Sequence, residues 1–155
     1  MIVDFLKKIE SSEEFHVWSE KTPNFFLASV FIQQDELQFG YFNSESNQMT
    51  TFFLKDDQIN LLENQEILQT DKTIEHLNID NIKLTHEQAL NIAKEGITDP
   101  IIKNFIVIQN FEENTIFNIT FFTQTQKIIN VHVNSFDGNI LSTKTTKLSD
   151  FYKVV

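Results

Sequence analysis

Leu84–Leu141 reads LTHEQALNIAKEGITDPIIKNFIVIQNFEENTIFNITFFTQTQKIINVHVNSFDGNIL. Thr85-His86-Glu87-Gln88 has the form of a capping box, in which the Thr85 hydroxyl accepts from the Gln88 amide and the Gln88 side chain reaches back to the Thr85 N–H. Ala89, Leu90, Ala93 and Ile97 follow at helical spacing. Gly96 is a stop signal and Pro100 prevents continuation. Two alanines in a narrow apolar stripe let such a helix approach a sheet closely. Phe105-Ile106-Val107-Ile108 is apolar on both faces. Phe117, Ile119 and Phe121 alternate with Asn118 and Thr120, and Ile129, Val131 and Val133 alternate with Asn130 and His132. That period of two suits antiparallel strands with one face on a core and one toward water. Short polar connections at Glu112-Glu113-Asn114 and Gln124-Thr125-Gln126 read as hairpin turns. Asp137-Gly138 reads as a further turn.

The first half repeats the order. Residues 1–16 pattern as an amphipathic helix, with Ile2, Phe5, Leu6 and Ile9 on one face. Strands are expected at Phe25–Gln33, Leu37–Asn43 and Met49–Lys55. Setting Leu37–Phe42 under Phe117–Phe122 aligns the apolar faces. Ile59, Leu61 and Leu62 suggest a short fourth strand or edge. Ile67, Leu68, Ile74, Leu77 and Ile79 are apolar points in a polar connector, with one helical turn expected near Thr73 to Leu77. Ser142 to Lys147 is a Thr-rich stretch able to extend the last strand, and the tail from Leu148 is a short helix or an extended end. The division is thus residues 1–60, a connector at 61–83, and residues 84–155, as separate units or one compact domain. The expected fold class is α+β, a helix packed on an antiparallel β-meander, present as two tandem units.

Four short motifs support a family resemblance: T-x-E-x-A-x-x-I-A from Thr85 to Ala93, N-I-T at Asn118–Thr120, I-N-V-x-V at Ile129–Val133, and D-G-x-I-L at Asp137–Leu141. Together they resemble the PepSY domain. In that family the last turn carries a D-x-x-T-G-x-(I/V)-L-like signature; here Asn134 stands for the leading Asp and Asp137 for the Thr. The resemblance implies a non-catalytic module that restrains peptidases or binds peptides.

Composition narrows the classes. The chain has 155 residues and a net charge of −10, with no Cys. Disulfides and thiolate chemistry are therefore excluded. Every basic residue is Lys. An acidic chain without Arg is a poor reader of phosphate and base edges, so neither a nucleic-acid nor an anionic-membrane partner is expected. The apolar runs fall short of the roughly 20 residues a membrane span needs. No signal peptide is legible, and the cytoplasm is the expected location.

No catalytic constellation is visible. His16, His76, His86 and His132 lack metal-ligand spacing, and His86 is expected to face solvent. Glu13-Glu14, Asp35-Glu36, Asp56-Asp57 and Glu112-Glu113 sit at helix ends or turns, where carboxylates are solvated. Three Gly cannot build a phosphate-cradling loop. The expectation is a non-enzyme without cofactor or metal. The candidate binding face is Asn118, Thr120, Asn130 and His132, which share one sheet face if their strands are neighbours. That face, or a free edge beside it, could receive an extended peptide. The partner would be an unidentified protein or peptide. A self-associating structural protein, as a homodimer, and a small-ligand carrier with a Phe-lined cavity are the alternatives.

Overall fold

A computed structural model describes residues 2–66 and 73–152. Ile67 and Leu68 of the connector, and the tail from residue 153, lie outside the described residues. The chain divides into two compact units, Met1–Ile79 and Asp80–Val155.

The first unit begins with α1 (Ile2–Glu10) and α2 (Glu13–Glu20). These replace the single helix expected over 1–16. Ser12 causes the break. Its hydroxyl donates to Ile9 O at 2.6 Å, closing α1, and accepts from Phe15 N at 3.2 Å, capping α2. Strands β1 (Phe25–Gln33), β2 (Glu36–Asn43), β3 (Gln48–Lys55) and β4 (Gln58–Glu66) follow. Each pairs antiparallel with its sequence neighbour. The core is aromatic. Trp18 lies 4.8 Å from Phe25 and 5.1 Å from Phe52 between ring centroids, and Phe15 lies 5.2 Å from Tyr41. These tilted and edge-on pairs suit ring quadrupoles. The buried Tyr41 hydroxyl donates to Glu10 Oε1 at 3.0 Å. Burial first, then the neighbouring carboxylate charge and hydrogen bond, pushes the phenol pKa well up, so Tyr41 stays a donor. Thr73 to Leu77 is not helical; Leu77 is buried there, and its N–H donates to Leu27 O at 2.8 Å.

The second unit holds α3 (His86–Lys94), β5 (Ile101–Phe111), β6 (Asn114–Thr123), β7 (Lys127–Asn134), β8 (Ile140–Lys147) and α4 (Leu148–Tyr152), with a 3-10 turn at Ile79–Asn81 just before. β5 to β8 again pair antiparallel in sequence order. The capping box on α3 is complete: Thr85 Oγ1 accepts from Gln88 N at 3.1 Å, and Gln88 Oε1 accepts from Thr85 N at 2.9 Å. His86, Ala89 and Ala93 fall at i, i+3 and i+7 and are all buried. His86 therefore faces inward, correcting the expectation of solvent exposure.

The fold class is corrected as well. The described residues are mostly β, with eight antiparallel strands and α-helices of only nine, eight, nine and five residues. It is not an α+β helix-on-meander fold repeated in tandem. Two strands account for the difference. β4 runs through Glu66 into the stretch read as a connector, and β8 forms a full hairpin arm on β7. Both are largely exposed and so lack the alternation that marks a half-buried strand.

Glu13-Glu14 opens α2, whereas Asp35, Asp56-Asp57 and Glu112-Glu113 fill hairpin turns. Three two-residue hairpin loops have both central residues at positive φ: Gln34-Asp35, Asp56-Asp57 and Glu112-Glu113. That is the signature of type I′ turns, here built without glycine. Gly138 has φ +80°, and a Cβ there would lie 3.1 Å from Ile92 Cδ1. At the other end of the unit, Asp99 accepts from Thr125 Oγ1 at 2.5 Å and pairs with Lys127 Nζ at 3.1 Å. These bonds, the Thr125 bond foremost, hold the Asp99 carboxyl below its ordinary range.

Two outcomes are expected. Gly138→Ala, which forces an L-residue into the left-handed region against α3, lowers unfolding free energy by about 1–2 kcal/mol in urea titrations. Asp99 binds fewer protons folded than unfolded, so its contribution is present above pH ~4 and is lost as pH falls below it. Asp99→Asn should therefore be less stable than wild type at neutral pH, and the gap should narrow on acidification below pH ~4. A gap independent of pH would refute the assignment.

Candidate functional site

The four candidate residues sit opposite one another in the second unit. Asn118 pairs with His132 and Thr120 with Asn130 across β6 and β7. The register extends both pairs into full rows across four strands. One row is Val107, Asn118, His132 and Ser142; the next is Phe105, Thr120, Asn130 and Lys144. A third row, Lys103, Phe122, Ile128 and Thr146, lies beside it. All twelve residues are half-buried or exposed. On β6 and β7 the neighbours on the opposite face are buried, with Phe117, Ile119, Phe121 and Val133 at 0 % exposure. This contrast follows directly from the side-chain period of two.

The centre of the face is hydrogen-bonded. Asn130 Nδ2 donates to Asn118 Oδ1 at 2.5 Å, to Thr120 Oγ1 at 3.1 Å and to Ile119 O at 3.3 Å. Its carboxamide therefore fixes the rotamers of two neighbours. Rings frame this polar centre. Phe111 meets His132 edge-on at 5.0 Å, Phe105 lies 5.9 Å from Phe122, and Lys103 Nζ sits 4.8 Å above the Phe122 ring. Apolar rings around convergent amides and hydroxyls can bind a chain that offers both carbonyls and side chains.

Sequence reasoning missed Phe105, Phe122, Lys103 and Lys144. β5 is apolar on both faces, so its half-buried side had no mark, and Lys144 lies on β8, read from sequence only as an extension of the last strand and not as a separate arm on β7. The signal available was register: once β6 and β7 pair, residues 105 and 144 fall into the Thr120 row.

The other histidines stand apart from this face. His16 is exposed on α2, and His76 contacts Phe26 edge-on at 5.9 Å. His86 Nε2 lies 3.1 Å from Glu87 Oε1. A small open cleft of about 200 Å³ lies at the β5–β6 and β7–β8 turns, between Asn81, Asn114, Thr115, Asn134, Ser135 and the exposed Phe136. Two of its polar groups are engaged, since Asn134 Oδ1 accepts from Phe136 N at 2.8 Å and Ser135 Oγ donates to Asn81 O at 3.1 Å; Glu113 also lines it. It is an amide-lined cleft, whereas the carrier reading calls for a Phe-lined one.

No family model and no curated protein matches the chain. Among solved structures, the fold is similar to that of a candidate lipoprotein from Clostridium difficile 630, at TM-score 0.57 and 13 % identity, over 86 % of this chain and 91 % of that one. No helix of the described residues is long and apolar enough to cross a membrane.

Removing the Asn130 donor leaves Asn118 Oδ1 without it in a half-buried site. Asn130→Ala should cost about 1 kcal/mol in denaturant unfolding. Asn130→Asp should cost more, because it turns an acceptor toward Asn118 Oδ1. Equal midpoints for the two variants would show that the carboxamide does not organise the face.

Proposed function

We propose that the protein is a non-catalytic binding module of PepSY-like type that takes an extended peptide on the Asn118, Thr120, Asn130 and His132 face. The observation that carries the reading is that face itself: twelve in-register residues, all half-buried or exposed, with an organised amide centre and aromatic surrounds. A sheet face with fixed hydrogen-bonding groups loses little entropy on binding. The motifs at Thr85–Ala93, Asn118–Thr120, Ile129–Val133 and Asp137–Leu141 support the family resemblance, and with it a role in restraining a peptidase or holding a peptide. No catalytic group enters this reading.

Location belongs to the same proposal. The cytoplasmic expectation stands against a structural neighbour described as a candidate lipoprotein. Likeness at 13 % identity carries fold and not address, so fractionation of the source cells with an antibody to the chain decides between them.

The test is a titration of the 15N-labelled chain with a library of extended octapeptides. Binding should shift the side-chain amide resonances of Asn118 and Asn130 together, and His132→Ala should weaken it. Peptides that bind without moving these resonances, or a library with no binder, would overturn the reading.

A further inference from the structure

Charge is divided unevenly along the chain. Residues 1–79 carry fourteen carboxylates against five lysines, whereas residues 80–155 carry eight against seven, so almost the whole net charge of −10 belongs to the first unit. The second unit's twelve-residue open face is more biased still. It holds Lys103 and Lys144 and not one carboxylate. In a chain with 22 acidic residues, a broad face without any is a local departure of the kind that selects partners by charge.

The lysines occupy opposite margins. Lys103 is on β5, the first strand of the unit's four, and Lys144 is on β8, the last, one row away. Strands lie about 4.8 Å apart and successive same-face residues about 6.6 Å apart along a strand, which puts the two Cα positions roughly 16 Å from each other. An extended peptide rises about 3.3 Å per residue and turns every second side chain to one side. Carboxylates at i and i+4 therefore share a side and are spaced about 13 Å apart, within reach of two flexible lysine stems. The side chain at i+2 then falls on the Thr120 and Asn130 centre.

We propose that the occupant of this face is an acidic extended segment of a partner protein, lying across the four strands with carboxylates four residues apart on Lys103 and Lys144. The inference rests on the peptide-binding reading above and adds the chemistry and spacing of the ligand.

Three octapeptides of one apolar framework test it against the 15N-labelled full chain: Glu at positions 2 and 6, Gln at both, and Glu at positions 2 and 3. The first should bind about tenfold more tightly than the second, with the advantage shrinking as salt rises. It should also exceed the third, whose carboxylates point to opposite sides. Lys103→Gln combined with Lys144→Gln, both at exposed positions, should remove the preference for Glu, so that the Glu and Gln peptides bind the variant alike. If Glu and Gln peptides bind equally and both move Asn118 and Asn130, the charge inference falls and the peptide reading stands. If neither moves those resonances, both fall. If the two Glu spacings bind equally, the crossing geometry is wrong.

Discussion

Ser135 is the point on which the second unit depends. It is wholly buried, and each of its polar groups is used. Its N–H donates to Thr115 O at 3.0 Å, its hydroxyl to Asn81 O at 3.1 Å, and its carbonyl accepts from Lys83 N at 2.9 Å and Leu84 N at 3.3 Å. One residue thereby joins the start of β6, the end of β7 and the lead-in to α3. Thr115 is tied in further by Asn110 Oδ1 at 2.7 Å. Leaving any one of these buried groups unsatisfied would cost about 1–3 kcal/mol, so the arrangement is strongly specified. The approach of α3 follows from it. With the helix entry fixed, His86, Ala89 and Ala93 turn inward and α3 packs on β6 and β7.

Much of this was legible where chemistry repeats in the sequence. The alternation in Ile116–Phe122 and Ile129–Val133 assigns faces correctly, and the Thr85 box marks the helix start. What was illegible has a common cause. β8 reads Ile-Leu-Ser-Thr-Lys-Thr-Thr-Lys and is exposed almost throughout. A strand with no buried side has no apolar period, and only its partner reveals it. β4 fails for the same reason beyond Leu62. The α1–α2 break was missed because Ser12 reads as an ordinary polar position until its two hydrogen bonds are seen.

The candidate face shows the same division. Its polar centre could be read from alternation, because Asn118, Thr120, Asn130 and His132 are polar residues interleaved with apolar ones. Its margins could not. Phe105 and Val107 sit in a strand apolar on both sides, and Lys144 in one polar on both sides. In each case the identity of the face comes from cross-strand register, which no local pattern encodes.

The hairpin loops bear on how the molecule comes together. Gln34-Asp35, Asp56-Asp57 and Glu112-Glu113 all adopt left-handed backbone without glycine, at a cost of about 1–2 kcal/mol per residue. Such loops close poorly by themselves and hold only when the arms on either side are already matched. Since every strand within a unit pairs with its sequence neighbour, the contacts that must form are short-range and quick to find. Apolar rows such as Phe39 against Phe52 and Ile119 against Val131 are the contacts able to hold the arms together first. Turns of this kind are expected to close after the arms on either side have paired.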